Sequence, residues 1–202
     1  MTALSFESAV RGAPHPHSRR GPLGSGTWCG VPVTSRERMA FDLVARHGVE
    51  AGASHLDAAA RQGSVDLPAL ASWLEGRHDD DVVAAREACA LADPRAESPP
   101  ESVCRVRLLR AGFAVVPQHR VCAGQRFVAR VDLALVDRRI AIEHDGRWHG
   151  ALAAQLDEDR RRLNALREAG WIVVHVTAAT LAERGALEDA VHRAVRQRSA
   201  VA

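Results

Sequence analysis

Val131 to His149 reads VDLALVDRRIAIEHDGRWH, and two short stretches within it decide the fold. Both are rich in β-branched and aliphatic residues and read as strands. Asp132 stands at the head of the first, and Glu143 and Asp145 fall on the second. Strand side chains alternate faces, so Glu143 and Asp145, two residues apart, point the same way. The linker Val136-Asp137-Arg138-Arg139 suits a hairpin that brings Asp132 alongside that pair. Clustered carboxylates repel one another, and a divalent metal is the usual compensation. Spacing alone is equally satisfied by solvated strand ends, with Asp132 pairing Arg130 or Arg139 and Asp145-Gly146 making an ordinary turn. The apolar run Ile140-Ala141-Ile142 argues for a central strand, where carboxylates are not idle surface charge.

Working outward, the neighbouring segments complete an α/β pattern. Ser98-Pro-Pro-Glu101 has the form of a capping box with proline at the first helical position, opening a helix to about Ala111 that Gly112 ends. Val115 to Val121, Arg126 to Val136 and Arg139 to Asp145 read as three strands. Leu152 to Ala169 reads as a long helix, Trp171 to Val176 as a fourth strand, and Leu187 to Arg198 as a final amphipathic helix. The helix between the third and fourth strands allows that pair to be parallel, giving a mixed sheet flanked by helices.

Ahead of this domain, residues 34–97 read as a small all-helical region. Its segments are a helix ended by His47-Gly48, a helix over Glu50 to Arg61, and short helices over Leu67 to Glu75 and Asp81 to Leu91. Residues 1–33 are rich in Gly, Pro, His and Ser and read as a mobile arm or a remnant of something longer. The domain boundary falls at Asp93-Pro-Arg-Ala-Glu-Ser98, leaving 98–202 for the α/β domain.

Composition narrows the function classes. At 202 residues and 47% hydrophobic, the chain has material for a packed core. No run of about 18 apolar residues predicts a membrane span, and the start lacks the apolar stretch of a signal peptide, so the default compartment is the cytoplasm. Cys29, Cys89, Cys104 and Cys122 are widely spaced and read as free, mostly buried thiols. All 27 basic residues are arginine, which excludes lysine chemistry such as Schiff bases and phosphate-loop lysines. The net charge of +2 neither demands nor forbids nucleic acid.

Three further features carry possible chemistry. Glu101 suits a simple capping role, yet it shares one helical stripe with Cys104, Leu108 and Ala111 that should face the sheet. His149 follows the strand and suits either a structural role beside Trp148 or acid–base work. A zinc site would ask for a further His or Cys that the neighbourhood of His144 and His149 lacks. In Asp157-Glu-Asp-Arg-Arg-Arg162, pairs such as Glu158 with Arg162 explain much of the charge, while Arg160, Arg161 and Arg167 form a basic stripe suited to phosphates.

Five motifs in order carry a resemblance: AESPPES with Glu101, GFAVVPQHRV with Gln118, RVDLAL with Asp132, IAIEHDGRWHG with Glu143, Asp145 and His149, and EDRRRLNALREAGWIVVHVT with Asp159 and Arg160. Residues 96 to 180 thereby resemble PD-(D/E)XK nuclease-like domains, in particular those related to very-short-patch mismatch repair endonucleases. The section from TSRERMAFDL to LADPRAESPPES resembles the linker region of actinobacterial proteins of the abortive-infection antitoxin type, which commonly carry an N-terminal winged helix. Relative to those, the chain reads as truncated. The resemblance implies a restriction-endonuclease-like fold, a DNA partner, and Mg²⁺ or Mn²⁺ held by Asp132 and Glu143 with Asp145 as a further ligand. It implies that Glu101 contributes from its helix, that His149 relays a proton, and that Arg130, Arg160 and Arg161 grip the DNA backbone. The family's lysine falls at Asp145, a departure shared with the repair-endonuclease relatives. The expected activity is a metal-dependent DNA endonuclease or nickase in repair or phage defence. The alternative is a catalytically weak or inactive DNA-binding, antitoxin-like module. Such nucleases are often homodimers, though no surface in the sequence declares one.

Overall fold

Alternating β-branched residues build the centre of the molecule. The computed structural model describes residues 25–145 and 153–200. His149, Trp148, Leu152 and the arm before residue 25 lie outside the described residues. Four strands form one sheet in the order β3-β4-β5-β6, with β3 at Val116–Ala123, β4 at Arg126–Leu135, β5 at Ile140–His144 and β6 at Ile172–Val176. The first three pair antiparallel, and β5 pairs with β6 in parallel. A parallel pair needs a crossover, and helix α5 at Ala153–Glu168 lies in that connection. A single 3-10 turn at Val136–Arg138, followed by Arg139 in left-handed backbone (φ 49°), closes the β4–β5 hairpin.

The two sheet faces are covered by different helices. Leu133, Leu135, Ile140, Ile142, Val174 and Val176 pack with Cys104 and Leu108 of α4 (Pro99–Arg110) and with Leu187 and Val191 of α7 (Ala186–Ser199). On the other face Val121, Ala129, Val131, Ala134 and Ala141 meet Leu166 of α5 and Trp171. A short helix, α6 (Ala178–Ala182), precedes α7. The expected mixed α/β sheet flanked by helices is therefore present, with helices ahead of it.

Those preceding helices are α1 (Arg36–Arg61), α2 (Leu67–Leu74) and α3 (Val82–Leu91). α1 breaks at Gly48, whose φ of 77° and ψ of −178° suit glycine alone, so the two helices expected there run on across a kink. Its halves pack closely: a methyl group on Gly52 would lie 2.9 Å from the Cα of Val44. Phe41, Val44, Leu56, Leu70 and Leu74 form a second core, which also takes in Val106 of α4. α4 is thus a shared wall, with Cys104 and Leu108 toward the sheet and Val106 toward the helices.

A buried ion pair fixes that wall. Arg105 of α4 and Asp57 of α1 are 2% and 1% exposed, and the guanidinium donates to the carboxylate at 2.7 Å. The second Asp57 oxygen accepts the backbone N–H of Asp93 at 2.6 Å, and Arg105 also donates to the carbonyl of Leu91. Burying either charge alone is expensive, so the two stay paired although the buried Arg105 Nε has no hydrogen-bond partner among the described residues.

Two features go beyond or correct the sequence reading. Within the stretch read as a mobile arm or a remnant of something longer, Ser25–Trp28 (β1) and Val31–Thr34 (β2) pair as an antiparallel hairpin. Cys29 and Gly30, both at positive φ (50° and 78°), form its two-residue turn, a conformation that matches strand twist. The hairpin belongs to a different compact unit from the one that begins at Arg36. All four cysteines are free, but only Cys89 and Cys104 are buried; Cys29 and Cys122 are exposed. Among the described residues no helix is long and apolar enough to cross a membrane.

Candidate functional site: three carboxylates and an arginine

Glu101 enters the site because α4 starts where it does. Ser98 caps the helix, its hydroxyl accepting the Glu101 N–H at 3.4 Å, and Pro99 and Pro100 occupy the first turn without losing a needed donor. The Glu101 carboxylate is 9% exposed. It accepts from the Ser98 hydroxyl at 2.7 Å, from the Glu97 N–H at 3.0 Å and from the Gln118 amide at 2.8 Å. It therefore both caps its helix and reaches across to β3. Cys104 and Leu108 follow it inward as expected, whereas Ala111 at the helix end is exposed.

Asp132 sits at an irregular point of the sheet. The β3–β4 register pairs Pro117 with Leu133 and His119 with Val131, but skips the pair between them, Gln118 and Asp132. Gln118 has left-handed backbone (φ 52°), rare for a residue with a Cβ. Residues two apart in a strand normally share a face, yet Val131 packs toward α5 and Leu133 toward α4 and α7. The strand thus turns over at Asp132. Backbone outliers of this kind cluster at functional sites.

Glu143 reaches the same place from β5. The β4–β5 register pairs Leu133 with Ile142, and one further step sets Asp132 across from Glu143. Asp132 accepts the backbone N–H of His144 at 2.9 Å. Glu143, 6% exposed, receives both terminal nitrogens of Arg162 from α5, each at 2.9 Å. The arginine also donates to the backbone carbonyl of Arg130 at 3.3 Å.

The electrostatics single out Asp132. Burial pushes its carboxyl up to about 6, and repulsion from Glu143 and Glu101 adds to that; the His144 N–H and the Arg162 charge act the other way. Among the described residues no arginine pairs with it: Arg130 goes to Glu97 at 2.8 Å instead. The Glu143 contact raises the affinity of Arg162 for its proton, helped by Asp132 and Asp159. Burial likewise pushes the neighbouring Cys104 thiol up to about 12, so it is inert rather than nucleophilic.

The structure thus brings together Glu101, Asp132 and Glu143 out of the residues the sequence singled out. Asp145 follows β5, half-buried, its backbone N–H bonded to the Val176 carbonyl at 2.7 Å. Arg130, Arg160 and Arg161 are exposed, the last two on α5 beside Arg162. Sequence reasoning missed the roles of Arg162 and Gln118. Arg162 had a sufficient local partner in Glu158, so its bond to Glu143, 19 residues away, carried no sequence signal.

The donor set suits a hard divalent cation in kind, being all carboxylate oxygen around a half-buried Asp132 that has no paired cation among the described residues. The arrangement is not a ready-made cage: among the described residues no three His, Cys, Asp or Glu side chains are grouped to hold a metal ion. Arg162 supplies positive charge to Glu143 where a metal would also be drawn.

Comparison with known proteins adds distant kinship only. No protein-family model matches the chain, and no solved structure matches it. Two uncharacterized proteins of Mycobacterium tuberculosis, one from strain CDC 1551 / Oshkosh and one from strain H37Rv, are each 36% identical over 97 residues. The match takes in 47% of this chain and 35% of each relative, so the chain spans about a third of the length of the curated relatives it is similar to.

Proposed function

We propose that this protein is a divalent-metal-dependent DNA endonuclease or nickase of the PD-(D/E)XK kind. The observation that carries this reading is that Asp132 of β4 feels the charge of both Glu143 of β5 and Glu101 of α4 and has no paired cation among the described residues. Asp132 and Glu143 would hold Mg²⁺ or Mn²⁺, with Asp145 as a further ligand. When bound, such an ion supplies charge neutralisation at the scissile phosphate and a water of lowered pKa. Glu101, fixed by Ser98, Glu97 and Gln118, is placed to orient a water rather than to move. Arg162, released from Glu143, would remain as a guanidinium for a phosphate oxygen. Arg160 and Arg161 on the exposed side of α5 would grip the DNA backbone without reading sequence. The proton carrier in this reading is His149, which lies outside the described residues.

The test is incubation of supercoiled, nicked and mismatched DNA with the protein and Mg²⁺ or Mn²⁺, beside Asp132→Ala. Metal-dependent nicking by the wild type alone supports the reading. Equal conversion by both proteins assigns the activity to a contaminant, and no conversion of any substrate removes the enzyme.

One observation favours a second reading, a DNA-binding or antitoxin-like module without turnover: Arg162 already neutralises Glu143 through both oxygens. Calorimetry with Mn²⁺ separates the two. A catalytic site binds the ion and loses it in Glu143→Ala, whereas the inactive module takes up none.

A further inference from the structure

The stretch from Ala111 to Val131 contains no Asp or Glu, although 25 of the 202 residues are acidic. It holds Arg120, Arg126 and Arg130 and forms most of β3 and β4. β5 pairs with β4 only from Leu133 to Leu135, so the part from His119 to Val131 is a two-stranded ribbon without a third strand among the described residues. Its inner side, Val121, Ala129 and Val131, is buried against Leu166 and Trp171.

The outer side is built differently. Arg120 stands directly opposite Arg130 across the strand pair. Like charges in that position destabilise a sheet and are retained only where something repays them. Phe127 is 50% exposed, and the Arg120 guanidinium stacks on its ring with its carbon 4.7 Å from the centroid. Stacking holds the planar fork in a fixed direction while leaving its N–H groups outward. Arg130 is offset by Glu97, but Arg120 and Arg126 have no ion-pair partner among the described residues. An acid-free ribbon with oriented arginines is complementary to a row of phosphates.

We propose that the outer side of the β3–β4 ribbon, through Arg120 and Arg130 around Phe127, with Arg126 at the ribbon's tip, is a docking surface for the phosphate backbone of duplex DNA. A two-stranded ribbon is also of a width that a major groove admits. The inference rests on the endonuclease reading and locates its substrate. Arg130 precedes Asp132 by two residues, about 7 Å along the strand, and its carbonyl is bonded to Arg162, which holds Glu143. A phosphate seated at the root of the ribbon therefore lies next to the carboxylates.

The experiment is fluorescence anisotropy of a labelled duplex with the full chain in EDTA, over a salt series, comparing wild type with Arg120→Ser/Arg126→Ser and with Phe127→Ser. These side chains are exposed, and circular dichroism confirms that the variants stay folded. The double variant is expected to bind about tenfold more weakly, with the slope of log K against log salt reduced by about 2; Phe127→Ser loses a smaller factor. Unchanged affinity in the double variant overturns the proposal, as does tighter binding to single-stranded RNA or polyglutamate than to the duplex, or no duplex binding by the wild type. Metal-dependent nicking is read separately: duplex binding that depends on the ribbon without any nicking keeps the surface and removes the enzyme, while nicking that survives the double variant at low salt does the reverse.

Discussion

Arg162 grips both carboxylate oxygens of Glu143 at 2.9 Å, joining helix α5 to the end of strand β5 across 19 residues of sequence. The glutamate is buried and the arginine is partly exposed, with side chains 8% and 37% accessible. Breaking a buried pair from one side leaves an uncompensated charge, which is the costly half of the interaction.

Arg162→Met is therefore expected to lower stability by about 2 kcal/mol, less than for a fully buried pair because water still reaches the arginine. Arg162→Met/Glu143→Gln should recover much of that loss, since no bare charge remains. Urea unfolding of the two variants beside wild type, in EDTA, measures both effects. An equal loss in the double variant would assign the cost to packing.

Asp132 gives a pH dependence with a definite sign. Its carboxyl is held at about 6, above the ordinary value of 3.8, so between those values the folded state binds more protons than the unfolded one. Its contribution to stability is fully present below about pH 4 and is lost as pH rises through about 6. Asp132→Asn should consequently stabilise the metal-free protein at pH 7.5, by about 1–2 kcal/mol after allowing for partial exposure, and leave it unchanged at pH 4. Thermal melts at the two pH values check this, and a gain of equal size at both would refute the electrostatic cause.

Gly52→Ala is expected to destabilise α1 even though alanine is the better helix former. The new methyl would lie 2.9 Å from the Val44 Cα, a backbone atom that cannot swing aside. The loss should be about 1–3 kcal/mol, as for other overpacked sites. Truncating Val44 to Ala removes its Cγ atoms but not the Cα collision, so it should rescue only part of the defect in denaturant midpoints.

Removing one partner of the buried Asp57–Arg105 pair should cost about 3–5 kcal/mol, enough to unfold a marginal protein. Asp57→Ala also strands the Asp93 N–H, which donates to that carboxylate at 2.6 Å. Arg105→Met/Asp57→Leu should melt closer to wild type than either single change. If all three melt alike, the pair contributes nothing beyond its volume.

The strands and helices of the α/β part were legible because their signals are local. Ile140-Ala141-Ile142 and Ile172 to Val176 are β-branched runs bounded by turns, and Ser98-Pro-Pro-Glu101 announces a helix by capping chemistry. The convergence of Asp132 with Glu143 followed from strand parity and a short turn. What was illegible depends on distance or on unfavourable local rules. Pro32 and the Trp28-Cys29-Gly30 turn disguise the β1–β2 hairpin, since proline is tolerated in a strand only where no ladder N–H is needed. Gln118 in left-handed backbone contradicts its own preference, and only its place opposite Asp132 gives that a reason. Arg162 looked like half of an i,i+4 pair, and its actual partner became visible only with the crossover in place.

The shared wall α4 has a practical corollary for dissecting this chain. Cutting at the composition change near residue 97 would sever the peptide at a loop yet tear open a core, because Val106 is covered from one side by α1 to α3 and Cys104 and Leu108 from the other by the sheet. A fragment beginning at Ser98 would expose Val106 and leave Arg105 without Asp57. The helices ahead of the sheet thus serve as a scaffold for α4, the helix that carries Glu101, and catalytic or binding assays belong on the chain that retains them.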